Sequence, residues 1–377
     1  HIPSPSKKKV NPHMRKFAIT TTAVAAVALI ALSGCSSPRG GEGAGDEAGS
    51  GFESGSVIGV ALPDKTSENW TIAGGLFETA IEDAGFEANI QYAGSTSPAP
   101  DQQAQISTMI EDGAKVIIIG AFDSKSLGAQ LKEAADQGVT IIAYDRLLEE
   151  TENVDYYAAF DNFKVGELQG QALLDGLEAA KPGGPWNIEL FSGAPTDPNA
   201  KVFFDGAMSV LQPAIDSGDV VVVSGETEVA ATSTDGWDAA TAQERMDTLI
   251  QGSYQGTELD GVLSPNDTLA RAIIQSVSDA NLPNIVVTGQ DSEAASIPFI
   301  LDGRQYMTIY KDTRKLVDQT VSMITSLSEG DEAETNDTAD NGTKEVPTFY
   351  LDPIVVTKDN AAEVYKDNDT LFPLTQK

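Results

Sequence analysis

Between residues 57 and 356, short apolar runs alternate with segments in which apolar side chains recur every three or four positions. The runs VIGVAL from Val57, VIII from Val116, TIIAY from Thr140 and YYAAF from Tyr156 are apolar almost throughout, the pattern of strands buried on both faces. Between them, 100–111 carries Ile106, Met109 and Ile110 on one side, and 124–137 repeats Leu127, Leu131 and Ala134 at helical spacing. This predicts strands over 57–63, 88–93, 116–120, 140–144 and 156–160, with helices over 69–84, 100–111 and 124–137. Such an arrangement is a parallel sheet covered on both faces, a doubly wound domain.

The alternation then restarts. Helices over 164–179, 201–217 and 269–279, and one carrying Met246, Leu249 and Ile250, interleave with strands over 187–191, 220–224, 261–263 and 285–288. This is a second doubly wound unit of similar size. A helix over 294–302, a strand over 307–310, a helix with Val317, Val321 and Ile324, and a last strand over 348–356 complete the pattern. The polar stretch 329–344 reads as an exposed loop; its acidic residues lack the glycine and closing glutamate of an EF-hand.

Ahead of the first strand the pattern breaks down. The apolar segment 17–32 is shorter than the roughly 20 residues a membrane-spanning helix needs. It follows Met14, Arg15 and Lys16 and ends in Leu32, Ser33, Gly34 and Cys35, which reads as a secretory signal. Cys35 is the only cysteine, and LSGC resembles the lipobox of bacterial lipoproteins. The expectation is an upstream extension and signal peptide over 1–34, a lipidated Cys35, and a flexible linker through residue 56 rich in Gly, Ser and Glu. Two or more acyl chains make a stable membrane anchor.

Composition adds a strong charge. The chain holds 57 acidic and 24 basic residues, a net charge of −33. Losing 1–34 removes five of the basic residues and no acidic one, so the net charge falls to −38. A field of that sign repels nucleic acid and anionic lipid. Both histidines, His1 and His13, precede Cys35, and no metal-ligand cluster is visible in the sequence.

The candidate chemistry sits where predicted strands end, because ligands of open α/β sheets bind beyond the carboxyl ends of the strands. Asp145 and Arg146 follow one strand and Asp161 and Asn162 the next. Five further strand ends or loops carry similar groups: PTDPNA at 195–200, DGW at 235–237, PND at 265–267, GQD at 289–291 and YK at 310–311. Arg offers a fork of donors, Asp up to four acceptor sites and Asn both kinds, which suits a ligand whose hydroxyls donate and accept together.

Taken in order with AYDR at 143–146 and FDN at 160–162, these motifs resemble the periplasmic sugar-binding proteins of ABC importers, in particular the xylose-binding group. The resemblance covers the chain from Val57 onward. It implies an α/β fold of two doubly wound lobes joined by three hinge crossovers, the type I periplasmic binding protein fold. It further implies an N-terminal lobe of 57–160 plus 292–345 and a C-terminal lobe of 161–291 plus 346–377. Asp145, Arg146, Asp197, Asn199, Asn266, Asp291 and Lys311 match family residues that bond sugar oxygens, and Trp70 and Trp237 match family aromatics that cover sugar C–H faces. Asn69 joins them at the pocket edge, where xylose-binding members carry arginine. Asp161, Asn162 and Gln290 are expected in the hinge or behind the ligand contacts. Trp186, at a strand start, is assigned to packing.

The expected function is an extracytoplasmic lipoprotein receptor that captures a neutral monosaccharide of the xylose, glucose, galactose or arabinose class and delivers it to an ABC permease in the cell membrane. No cofactor, metal or nucleic acid is expected, and the chain is read as a monomer. One alternative is a sensor presenting the closed form to a chemotaxis or two-component receptor. An enzyme using two carboxylates as acid and base is the other; Arg and Lys among the carboxylates, with no histidine beside them, favour binding over turnover.

Overall fold

The computed structural model describes residues 51–63, 65 and 67–376. The signal segment, Cys35 and the linker up to residue 50 lie outside the described residues.

The first half runs β1 (Val57–Leu62), α1 (Glu68–Asp83), β2 (Glu87–Tyr92), α2 (Pro98–Glu111), β3 (Val116–Ile119), α3 (Gly128–Asp136), β4 (Thr140–Tyr144) and β5 (Tyr156–Phe160). It continues with α4 (Asn162–Ala180), β6 (Trp186–Leu190), α5 (Pro198–Ser217), β7 (Val220–Val222), α6 (Val229–Thr232), α7 (Ala239–Gln251), β8 (Gly261–Leu263), α8 (Asp267–Asp279) and β9 (Val286–Val287). Then come α9 (Ile297–Leu301), β10 (Met307–Tyr310), α10 (Thr313–Ser328), β11 (Asp337–Asp340), β12 (Glu345–Leu351), β13 (Ile354–Thr357) and α11 (Ala361–Val364).

Strand order β11-β12-β5-β4-β3-β1-β2 forms a seven-stranded sheet, and β7-β6-β8-β9 a four-stranded one. All pairings are parallel except the β11–β12 edge hairpin and the two-stranded β10–β13 pair. The continuous apolar strands have a simple cause. In β3, Val116 and Ile118 face one core while Ile117 and Ile119 face the other, and β4 and β5 divide in the same way. With helices on both faces, every position of β3 and all but the first of β1, β4 and β5 are buried. The second lobe repeats the scheme, Ile188 and Leu190 facing one core and Val262 and Val287 the other.

The chain crosses between lobes at three places: from Phe160 into α4, through Lys311 and Asp312 into α10, and through Asp352 and Pro353 from β12 to β13. These positions correct the expected segment boundaries. Residues 292–310 stay with the second lobe: β10 pairs with β13, Met307 and Ile309 pack on Val165, Ala172 and Phe203, and Ile297 and Ile300 pack on Tyr365. The return to the first lobe begins at α10, whose Leu316 and Val317 enter its core. The single last strand expected over 348–356 is two strands in different sheets. β12 pairs with β5 in the first lobe, and Pro353, which cannot donate to a ladder, stands where the chain leaves it.

Two further expectations change. The linker does not reach residue 56, because Phe52 packs against Phe86 with ring centroids 5.6 Å apart and its N–H donates to Ser328 O. Burying that one aromatic ring docks the end of the segment. The expected loop 329–344 contains β11, and Asn341 beyond it is buried, donating to the carbonyls of Leu148 and Thr151.

The α4–α5 crossing sets the position of the second lobe's cleft face. A side-chain carbon at Gly166 would run into Phe203 O, and one at Gly206 into Phe163 O. The two backbones therefore touch, which brings the N-terminus of α5 close beside that of α4 at the first crossover.

Candidate functional site

The cavity between the lobes is built from strand ends and helix starts. Space for the centres of water-sized molecules is about 100 Å³, against roughly 10–15 Å³ for a single water, so it has room for several waters or one small ligand. From the first lobe it is lined by Asn69 and Trp70 on α1, by Phe122 after β3, and by Tyr144, Asp145 and Arg146 at the end of β4. From the second come Asp197, Asn199 and Phe203 at the start of α5, Trp237, Asn266 before α8, and Gln290 and Asp291 after β9. Lys311, at a crossover, completes the set. Every residue expected to touch ligand thus faces one space.

Helix starts explain much of this placement. Asp197 caps α5, its Oδ1 accepting from Asn199 N at 2.9 Å, and Asn266 caps α8, its Oδ1 accepting from Leu269 N at 2.9 Å. Capping satisfies orphan N–H groups at the helix terminus and leaves the second polar atom of each side chain for other partners. For Asp197 those partners are known. Its Oδ2 accepts from Trp237 Nε1 at 3.1 Å and lies 2.9 Å from Arg146 Nε across the cleft. That last contact is an ion pair set off the N–H direction, so Nε has no hydrogen-bond partner, while Nη1 donates to Ala121 O at 2.9 Å.

A second charged group surrounds Lys311. Its Nζ is 3.1 Å from Asp291 Oδ1 and 3.9 Å from Asp145 Oδ1. Burial pulls the ammonium's pKa down, but Asp291 and Asp145 outweigh it and hold it above the ordinary lysine value. Burial raises the pKa of Asp145, and Lys311 partly offsets the rise. Three carboxylates and two cations, all with mostly buried side chains, therefore line one space, where charge-assisted hydrogen bonds are strong.

Backbone strain collects here as well. Asp145, Trp237 and Asp291 adopt positive φ of 62°, 55° and 90°, a left-handed conformation uncommon for residues other than glycine. Such strain persists where surrounding contacts impose it and clusters at ligand sites. The lobes also touch away from these charges. Asn199 Nδ2 donates to Asp145 O at 2.8 Å, and at the rim Ala294 N donates to Glu68 Oε2 at 3.2 Å.

The residues expected at the hinge divide. Asp161 caps α4 by accepting from Lys164 N, and neither it nor buried Asn162 is in the cavity wall. Gln290 does line the cavity, and its Nε2 donates to Pro265 O at 2.8 Å. Trp186 packs in the second-lobe core. The sequence reading missed Phe122, Phe203, Thr196 and Thr313 in the wall. Thr196 lies within the singled-out PTDPNA loop and could have been found there. Buried Gln102, which donates to Gly120 O and accepts from Phe122 N, had no signal beyond its place on a helix.

A family model described as a periplasmic binding protein domain matches residues 58–332. The chain is 45% identical over 317 residues to the multiple sugar-binding periplasmic receptor ChvE of Rhizobium radiobacter, spanning 82% of this chain and 88% of that one. It is 35% identical over 312 residues to the D-xylose-binding periplasmic protein of Escherichia coli, spanning 82% and 89%. Among solved structures, an ABC transporter solute-binding protein from Clostridium phytofermentans with bound β-D-glucose superposes with a TM-score of 0.79 at 39% identity, over 83% of this chain and 98% of that one. Two lobes, three crossovers and a charged cleft agree with that match, and the chain belongs to the periplasmic binding protein family with its type I fold.

Proposed function

We propose that this chain is an extracytoplasmic receptor that captures a neutral monosaccharide of the xylose, glucose, galactose or arabinose class between its lobes and delivers it to an ABC permease. The observation that carries the reading is the cavity wall: two tryptophans and five charged groups, drawn from both lobes, around a volume suited to one small ligand. Aromatic faces cover the C–H patches of a sugar, and charged planar groups take its hydroxyls. Three carboxylates against two cations disfavour an anionic ligand. Because a bound sugar touches both lobes, it binds the closed form better and shifts the population toward it. Nothing in this cycle needs catalysis, and the receptor acts as a monomer held to the membrane through lipidated Cys35.

Calorimetry on 36–377 against xylose, glucose, galactose, arabinose and ribose tests this. Micromolar or tighter binding of at least one sugar, unchanged on recovery, is expected. Arg146→Ala should abolish that binding with folding intact, since each charge-assisted hydrogen bond contributes about 1.5–3 kcal/mol. Binding of none of these sugars, or conversion of a bound one to product, would overturn the reading.

A further inference from the structure

Neither wall tryptophan has free space behind it. Gly193, in the loop after β6, and Gly120, directly after β3, are absent from the cavity wall but lie against the two indoles. A β-carbon at Gly193 would overlap Cη2 and Cζ2 of Trp237 and stand 2.6 Å from Cε2; one at Gly120 would come within 2.8 Å of Trp70 Cζ3 and 3.2 Å of Cη2. Carbon atoms pack best about 3.5–4.0 Å apart, so the Trp237 ring would have to shift by more than about 1 Å to admit even a methyl group.

Other constraints on Trp237 leave little choice of direction. Its own φ is 55°, that of the preceding Gly236 is 63°, and its Nε1 is tied to Asp197. Asp197 is itself fixed as the cap of α5 and by the ion pair with Arg146. Trp237 lines the cavity, so ligand space is a direction open to a ring pushed off Gly193. Trp70 has a softer version of the same support, with its contact to Gly120 less close and Arg146 Cζ 5.2 Å from its ring centroid.

We propose that Gly193, and more weakly Gly120, are positioning residues that set the width of the aromatic slot and so decide whether a hexopyranose is accepted alongside a pentopyranose. Each lobe seats its tryptophan on a glycine that follows a strand, and the room gained accommodates the exocyclic hydroxymethyl group by which glucose differs from xylose. The proposal rests on reading the cavity as a monosaccharide site.

The test uses Gly193→Ala in 36–377, with Gly120→Ala as the milder counterpart. Glucose affinity should fall about tenfold or more in Gly193→Ala, and xylose affinity should fall less, so the glucose-to-xylose ratio drops; Gly120→Ala should change it in the same direction by less. Phenylalanine at 237 lacks the outer indole ring that meets Gly193, so adding Trp237→Phe to Gly193→Ala should bring the ratio back to that of Trp237→Phe alone. An unchanged ratio in Gly193→Ala, or an equal loss with Trp237→Phe present, would overturn the proposal. A crystal structure of ligand-free Gly193→Ala checks the ring whatever sugars bind. An indole displaced into the cavity supports the support role even if the sugar reading fails, and an indole left in place overturns it.

Discussion

At the scale of single residues, the groups in the cleft could be named from the sequence because each stands directly after a strand or at the start of a helix. What the sequence withheld was their pairing. Arg146 and Asp197 are 51 positions apart, and only the docking of two lobes brings them into contact. Packing within the second lobe likewise buries a carboxylate with no structural signal in its motif: Asp267 accepts from Gln305 Nε2 at 2.6 Å, Glu293 N at 2.9 Å and Thr308 Oγ1 at 3.0 Å, just behind Asn266. Burial pushes its pKa well above the ordinary aspartate value, and nearby Glu293 adds to the rise. In the window above about pH 4, where an unfolded aspartate has already ionised, the native state holds a proton that the unfolded state has released. The contribution of Asp267 to stability is therefore largest in acid and is lost as pH rises through its folded pKa. Thermal midpoints measured from about pH 4 to pH 8 should show this decline, and Asp267→Asn should flatten it; an unaltered slope would mean that Asp267 is not the group responsible.

At the scale of elements, periodicity located nearly every helix and central strand but could not say which sheet a strand joins. β12 and β13 read as one segment because only Asp352 and Pro353 separate them, and β10, buried throughout, reads like any other strand because burial on both faces erases the alternation. The helix pair α4 and α5 shows how a local sequence feature gains meaning only in contact. Gly166 and Gly206 look like mild helix weakeners in isolation, yet each faces a backbone carbonyl of the other helix. Gly166→Ala should lower stability by about 1–3 kcal/mol through overpacking, read as a lower urea midpoint at constant slope. An unchanged midpoint would mean that the helices can separate without cost, and the position of Asp197 would then need another explanation.

At the scale of the whole molecule, the receptor reading joins a closing cleft to a membrane-held N-terminus. Cys35→Ser should release the protein from the membrane fraction without altering its sugar affinity, as followed by fractionation and calorimetry; persistent membrane attachment would remove the lipid anchor from the reading. The sequence by itself determined the two α/β units, the acidic exterior and the polar groups at strand ends, while the roles of Trp70 and Trp237 were implied by resemblance to the sugar-binding family. The first three follow from hydrophobic period, charge count and strand-end position, all local properties of the chain. The tertiary structure alone decided where the chain crosses between lobes, which ions pair across the cleft and which glycines support the tryptophans. Those outcomes depend on contacts between residues distant in sequence, and such contacts acquire their energies only when each lobe is folded and, for the ion pairs, when the two lobes meet.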